Sequence, residues 1–311
     1  MKQKLDWESK TVLVTGGAGF IGRRLVGTLA RLGSKVYVLD DLSSGVWDNT
    51  STKEAQIVVS NVTSINSTIL TGLEGIDLVY HLGAPSSDLL FREDPTGCLK
   101  DTVLGFMEVI RFAAKKGVKK LVYASSSSVY GDSRGPQSEN TPTNPTNLYG
   151  TSKLICETIA GVQSDVPSIG LRIFAGYGPG ESTKGRIASV VTLFMESLAN
   201  HQAITLFGDG SQCRDFIYVD DIIHSFIRSA EIPDMGVLNV GSGNTYSFTQ
   251  IVSSLEDVLG VRGKVIFAPA PSGYFTSTLA DITRMKSRLG LEPIALREGL
   301  ASYMLEVERA R

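Results

Sequence analysis

The chain has 311 residues, 42% hydrophobic and 20% charged, with a formal net charge of −2, enough to bury one large core or two modest ones. That near-neutral balance gives no electrostatic case for nucleic acid or an anionic membrane surface, no apolar run spans a bilayer, and MKQKLDWESK lacks the apolar centre of a leader. The scattered Cys98, Cys156 and Cys213 and three dispersed histidines argue against a disulfide framework or a zinc site, and point to reduced thiols in the cytoplasm.

The first half alternates short apolar strands with helices. TVLVTG (11–16) is β-branched and ends in glycine; GFIGRRLVGTLARLG (19–33) has apolar residues at helical spacing. KVYVLDD (35–41), AQIVVS (55–60), IDLVYHLG (76–83) and KKLVYASS (119–126) continue the strands, and LKDTVLGFMEVIRFAAKKG (99–117) is expected as one helix with a glycine stop. This order predicts an α/β fold, a Rossmann-like doubly wound parallel sheet covered on both faces. After residue 174 the pattern loosens into helical segments such as 187–200 and short strands at 204–207 and 237–242. The expected organisation is a dinucleotide-binding domain over 1–174, receiving segments from about 212–242, and a smaller α/β substrate-binding domain over 175–311, capping the strand ends where ligands of such sheets sit.

Gly16, Gly19 and Gly22 follow the first strand and open the first helix, and Asp40 ends the second strand 18 residues after Gly22. Glycine lets backbone approach a pyrophosphate resting on a helix N-terminus, whose unpaired amides carry partial positive charge. A carboxylate at Asp40 accepts hydrogen bonds from ribose hydroxyls and repels a 2′-phosphate, and no arginine lies in residues 39–48 to welcome one. The expected cofactor is NAD.

Tyr149 and Lys153 stand at i and i+4, on one face of a helix. Together with the glycine loop TGGAGFIG and the serine run at 125–128, the chain resembles the extended short-chain dehydrogenase/reductase superfamily, in particular its NAD-dependent nucleotide-sugar epimerases and dehydratases. The resemblance covers nearly the whole chain. It implies a catalytic set of Ser126, Tyr149 and Lys153, and a cofactor cradle that includes Phe20, Ile21, Asp41, Ser43, Ser44, Leu82, Gly83 and Ala84. It also implies an adenine contact at Asn61-Val62, where the family usually has an acidic residue; the Asn61 amide oxygen is expected to accept the same hydrogen bond. His81 reads as structural.

The chemistry asks for these residue types. A tyrosine with an ordinary pKa of about 10 needs roughly 4 kcal/mol of phenolate stabilisation to act as a base near pH 7. One cation about 6 Å away at an effective dielectric of about 20 supplies roughly 3 kcal/mol, so Lys153 comes close and the positive nicotinamide ring provides the remainder. Dehydratases and decarboxylases of the family carry an acid just after the catalytic Ser/Thr, whereas here those positions are Ser127 and Ser128. That contrast favours a 4-epimerase of a nucleotide sugar, with Ser127 and Ser128 facing the C5 substituent, a carboxylate or a hydroxymethyl group. A 4-ketoreductase using exchangeable cofactor, and a non-catalytic dinucleotide sensor, are the rival readings.

In the second half, LRIFAGYGPG (171–180) and LFGDGSQCRDFIYVDD (206–221) resemble the family's substrate segments. The resemblance implies a diphosphate contact at Arg214, a uracil contact around Thr205 and Phe207, and a substrate contact at Tyr274. Ala175 replaces a usual Asn and Pro271 a usual second Arg, a loss that Arg186 or Lys184 could offset. Asp215 and Asp221 read as loop-closing and helix-capping residues. A homodimer through helices of 99–117 and 149–163 is expected on resemblance alone.

Overall fold

The computed structural model describes residues 5–47, 55–133, 135–163, 165–270 and 276–309. In chain order the first half runs β1 (Thr11–Thr15), α1 (Phe20–Arg31), β2 (Lys35–Asp40), β3 (Ala55–Val59), β4 (Leu78–His81), α2 (Asp88–Glu93), α3 (Pro95–Leu99), α4 (Gly105–Lys116), β5 (Lys120–Ser126), α5 (Leu148–Val162) and β6 (Ser168–Ile173). The second half adds β7 (Ala175–Tyr177), α6 (Val190–Ala199), β8 (Ile204–Phe207), β9 (Cys213–Arg214), β10 (Phe216–Tyr218), α7 (Val219–Glu231), β11 (Gly236–Val240), β12 (Tyr246–Ser247), α8 (Phe248–Leu259), β13 (Val265–Ala268), α9 (Thr283–Leu289) and α10 (Leu296–Arg309).

Seven strands form one parallel sheet in the order β11-β6-β5-β4-β1-β2-β3. The strands are apolar on both faces because both faces are covered. Val12, Val14, Val36, Val38, Tyr80 and Val122 face a core shared with Leu25, Val26 and Leu29 of α1 and Ile222 and Phe226 of α7. The alternating residues Leu13, Tyr37, Leu39, Val79, Leu121 and Tyr123 face a second core with Phe106, Val109 and Ala113 of α4 and Cys156 of α5. The chain crosses over between β1 and β4, so the sheet has its topological switch beside β1, where a ligand crevice forms.

One difference from the sequence reading matters for the site. The helix expected over 99–117 is three pieces: α3, a π turn at Lys100–Leu104 and α4. The strand expected near 237–242 is β11, which pairs with β6 as an outer strand of the main sheet. Beyond the sheet, β7 pairs with β10, β8 with β13 and β9 with β12, each as a separate two-stranded unit. Among the described residues no helix is long and apolar enough to cross a membrane.

Candidate active site

The C-terminal strand ends open into a cavity of about 680 Å³, lined from the glycine turn after β1 to Arg214 and Thr278. The glycine turn is packed too closely for side chains. A Cβ on Gly22 would stand 1.9 Å from the Gly16 carbonyl oxygen, and one on Gly16 would stand 2.5 Å from the Gly83 nitrogen. Gly16 also takes φ +71°, a left-handed conformation that glycine adopts without strain. Gly19 precedes α1 with no side-chain cap, and no acidic residue occupies the first turn, so the helix presents its free N–H groups to an anion.

Asp40 ends β2 beside this turn. Its Oδ2 accepts the Ala18 N–H at 2.9 Å and its Oδ1 the Leu42 N–H at 2.9 Å, which leaves a lone pair on each oxygen for ribose hydroxyls. Burial pushes its carboxyl above the usual range, and the two N–H bonds oppose that shift. These residues fit NAD: the uncapped helix end takes the pyrophosphate and Asp40 the ribose.

Asn61 departs from the expected role. Its amide oxygen accepts the Thr63 N–H at 2.9 Å and the Thr63 hydroxyl at 2.7 Å, capping the turn that follows β3. The oxygen is therefore spent, and the amide nitrogen points instead to Asp41 and Asp101. His81 is buried, with Nδ1 2.7 Å from the Thr15 hydroxyl, and burial together with the nearby Lys153 holds its pKa down at about 3.

The serines separate into different tasks. Ser125 donates to Glu157 Oε1 at 2.5 Å, and Glu157 is held by Arg172 in a buried bidentate pair at 2.9 and 2.7 Å. Ser126 Oγ accepts the Ser128 N–H at 3.1 Å, capping a 3-10 turn over Ser127–Tyr130. Ser127 and Ser128 are half-buried and line the cavity.

The N-terminus of α5 lies hard against this turn because residue 150 has no side chain: a Cβ there would stand 2.5 Å from the Ser128 carbonyl oxygen. Asn147 caps α5 through the Gly150 N–H at 2.8 Å. Tyr149 thus comes beside Ser126, and Lys153 Nζ sits 5.9 Å from the Tyr149 ring centre. Lys153 also donates to the Ala124 carbonyl at 3.3 Å. Burial pushes the Tyr149 hydroxyl above its ordinary pKa, with the neighbouring Ser126 hydroxyl pulling the other way, and pushes the Lys153 amine below its own.

A dinucleotide cradle and a Ser-Tyr-Lys cluster therefore share one cavity, and residues 12–241 match the NAD dependent epimerase/dehydratase family. The chain belongs to that family.

Relatives of this epimerase/dehydratase chain are similar over nearly its whole length. UDP-glucose 4-epimerase of Mycolicibacterium smegmatis is 33% identical over 300 residues, covering 93% of this chain and 96% of the relative. The crystal structure of UDP-glucose 4-epimerase with UDP-glucose from Thermotoga maritima superposes with a TM-score of 0.92 at 29% identity, covering 96% of this chain and 99% of that one. MoeE5 in complex with UDP-glucuronic acid and NAD superposes with a TM-score of 0.86 at 31% identity, covering 97% and 100%.

Within the cavity lining stand Gly16, Gly19, Phe20, Ile21, Gly22, Asp40, Asp41, Ser43, Ser44, Asn61, Val62, Leu82, Gly83 and Ala84. Ser126, Ser127, Ser128, Tyr149, Lys153, Ala175 and Arg214 line the rest. Arg186 does not: it is exposed and forms a bidentate ion pair at 2.5 Å with Glu93 at the cavity rim. Lys184, the other cation considered, lines the cavity and pairs with buried Glu181 at 3.1 Å. Thr205 and Phe207 lie on β8, outside the lining, and Tyr274 lies outside the described residues, as does Pro271.

Asp215 is fully buried and clamps the Ser242, Gly243 and Ala280 N–H groups at 2.6 to 3.0 Å. Asp221 does not cap α7; it lies inside that helix and accepts the Ile294 N–H at 3.0 Å. Sequence reasoning missed Asp101, Glu157 and Glu181. Glu157 carried a signal, standing four residues after Lys153 on the same helix face.

Proposed function

We propose that this protein is an NAD-dependent 4-epimerase of a nucleotide sugar, of the UDP-glucose/galactose or UDP-glucuronate/galacturonate type. The observation that carries the reading is the turn after Ser126, where Ser127 and Ser128 bring hydroxyls and no carboxylate to the cavity beside Tyr149. Elimination or decarboxylation with proton traffic at ring carbon needs a further acid or base; inversion at C4 needs none.

NAD supplies the hydride acceptor, and in its reduced form the donor. Tyr149 takes the C4 hydroxyl proton as that carbon is oxidised, and Ser126 hydrogen-bonds the same oxygen as it becomes a carbonyl. Lys153, 5.9 Å from the tyrosine ring, stabilises the phenolate. The cavity would let the 4-keto sugar turn over so that bound NAD could supply hydride to its other face, and Tyr149 gives the proton back. Ser127 and Ser128 contact the C5 substituent, and Arg214 binds the diphosphate as a guanidinium fork. Ala175 leaves room where a larger side chain would contact the sugar nucleotide.

The domain division at residue 174, with 212–242 returning to the first unit, accords with β11 pairing beside β6. A homodimer is supported by Leu104 and Met107 on the α4 side and Leu148 and Ile155 on α5, all exposed apolar side chains. A cytoplasmic location is supported by three free cysteines, of which Cys98 and Cys156 are buried.

The test is incubation with UDP-glucose, UDP-glucuronate and UDP-N-acetylglucosamine separately, with only trace NAD, followed by proton NMR of the sugar signals. Appearance of the galacto-configured product is expected with one of them. Absence of conversion with all three, in protein whose bound NAD has been quantified, would overturn the UDP-sugar reading.

A further inference from the structure

Position 61 holds an amide where the family's adenine-binding segment usually has an acid, and all four hydrogen-bonding sites of that amide are occupied by the protein. The oxygen takes two bonds from Thr63, and the nitrogen gives one to Asp41 Oδ2 at 3.1 Å and one to Asp101 Oδ1 at 3.2 Å. Asn61 therefore works as a bracket between two carboxylates, both on the cavity lining.

The two carboxylates are not equivalent. Asp41 is drawn into its own turn, with Oδ1 accepting both the N–H and the hydroxyl of Ser43 at 3.0 and 2.6 Å. Among the described residues, Asp101 accepts a hydrogen bond from Asn61 alone. It sits in the π turn at Lys100–Leu104, a local rewinding of the helix that re-aims side chains and recurs at functional sites. Four residues on, Gly105 allows α4 to press against the start of the turn after β3: a Cβ at 105 would stand 2.5 Å from Val62 Cγ1. That contact brings Asp101 to Asn61. Val62 is the first residue of its turn, so its N–H has no partner inside it. A donor and a carboxylate acceptor thus stand on the cavity lining, joined through Asn61.

We propose that Asp101 is the residue that selects adenine, its carboxylate accepting the 6-amino group while the Val62 N–H serves ring N1. The role commonly given to the end of β3 has moved onto the π turn. Hypoxanthine presents the opposite pattern, an acceptor at C6 and a donor at N1, and both contacts then fail. This assignment rests on the cofactor and not on the sugar, so failure of the epimerase assay leaves it standing.

The protein is equilibrated with an equimolar excess of NAD and nicotinamide hypoxanthine dinucleotide, gel-filtered and denatured, and the retained dinucleotides are quantified by chromatography. Wild type is expected to retain NAD over the analogue roughly tenfold, as for a lost pair of matched base contacts. In Asp101→Asn, whose amide both donates and accepts, the ratio falls to within about threefold. Asp101→Ala, melting as wild type, repeats the collapse without an amide. A wild-type ratio near one overturns the proposal. So does an unchanged ratio in Asp101→Asn, or loss of both dinucleotides from a folded Asp101 variant.

Discussion

Tyr149 and Lys153 pay opposite tolls to the same burial. Exclusion of water holds the tyrosine hydroxyl protonated and weakens the lysine's hold on its proton, so each needs the other's charge. Tyr149→Phe removes the proton acceptor while keeping the ring contact with Phe91, and kcat should fall by about 10² to 10⁴ with bound NAD unchanged, measured by turnover and by the absorbance of the denatured extract. His81 carries a different consequence. Its pKa is about 3 in the folded chain against 6.5 in the unfolded one. Below pH 6.5 the unfolded state binds the proton first, so this group's contribution to stability, complete above that pH, is lost as pH falls toward 3. In that window it adds a slope of up to about 1.4 kcal/mol per pH unit. Urea unfolding of wild type and His81→Asn between pH 7 and about 4 should show the extra slope only in wild type.

At the scale of elements, the site depends on how closely α5 meets the serine turn. Gly150→Ala places a methyl group where 2.5 Å separates it from the Ser128 carbonyl, so the helix must retreat. The expected cost is about 1–3 kcal/mol in urea unfolding, together with a kcat loss larger than any change in KM, because Tyr149 and Ser126 move apart. The alternation of strands and helices, the glycine turn, Asp40 and the Tyr149–Lys153 spacing were all legible in the sequence, since each is a local pattern with one physical meaning. The π turn was not, because Lys100–Leu104 keeps the apolar spacing of an ordinary helix. Nor was the orientation of Asn61, which is decided by Thr63 two residues on. Arg186 was placed by its charge, and charge alone does not say that Glu93 captures it. The divided labour of the serines also needed Glu157, 32 residues from Ser125, to be brought beside β5.

On the whole molecule, Met107 and Ile155 are 40% and 38% exposed on neighbouring helices, an apolar face that a second subunit would cover. Sedimentation should give a dimer for wild type and a monomer for Met107→Glu combined with Ile155→Glu, with circular dichroism unchanged. The position of β11 reaches further, into the order in which the chain is made. β6 ends at residue 173 and its outer partner ends at residue 240, 67 residues later. At about 5–20 residues per second, synthesis leaves the hydrogen-bonding groups along the rim of β6 open for roughly 3–13 s. For that interval the nascent sheet carries a bare edge able to pair with another chain, so the emerging protein has its greatest need of a chaperone after its cofactor half has been translated and before its last sheet strand exists.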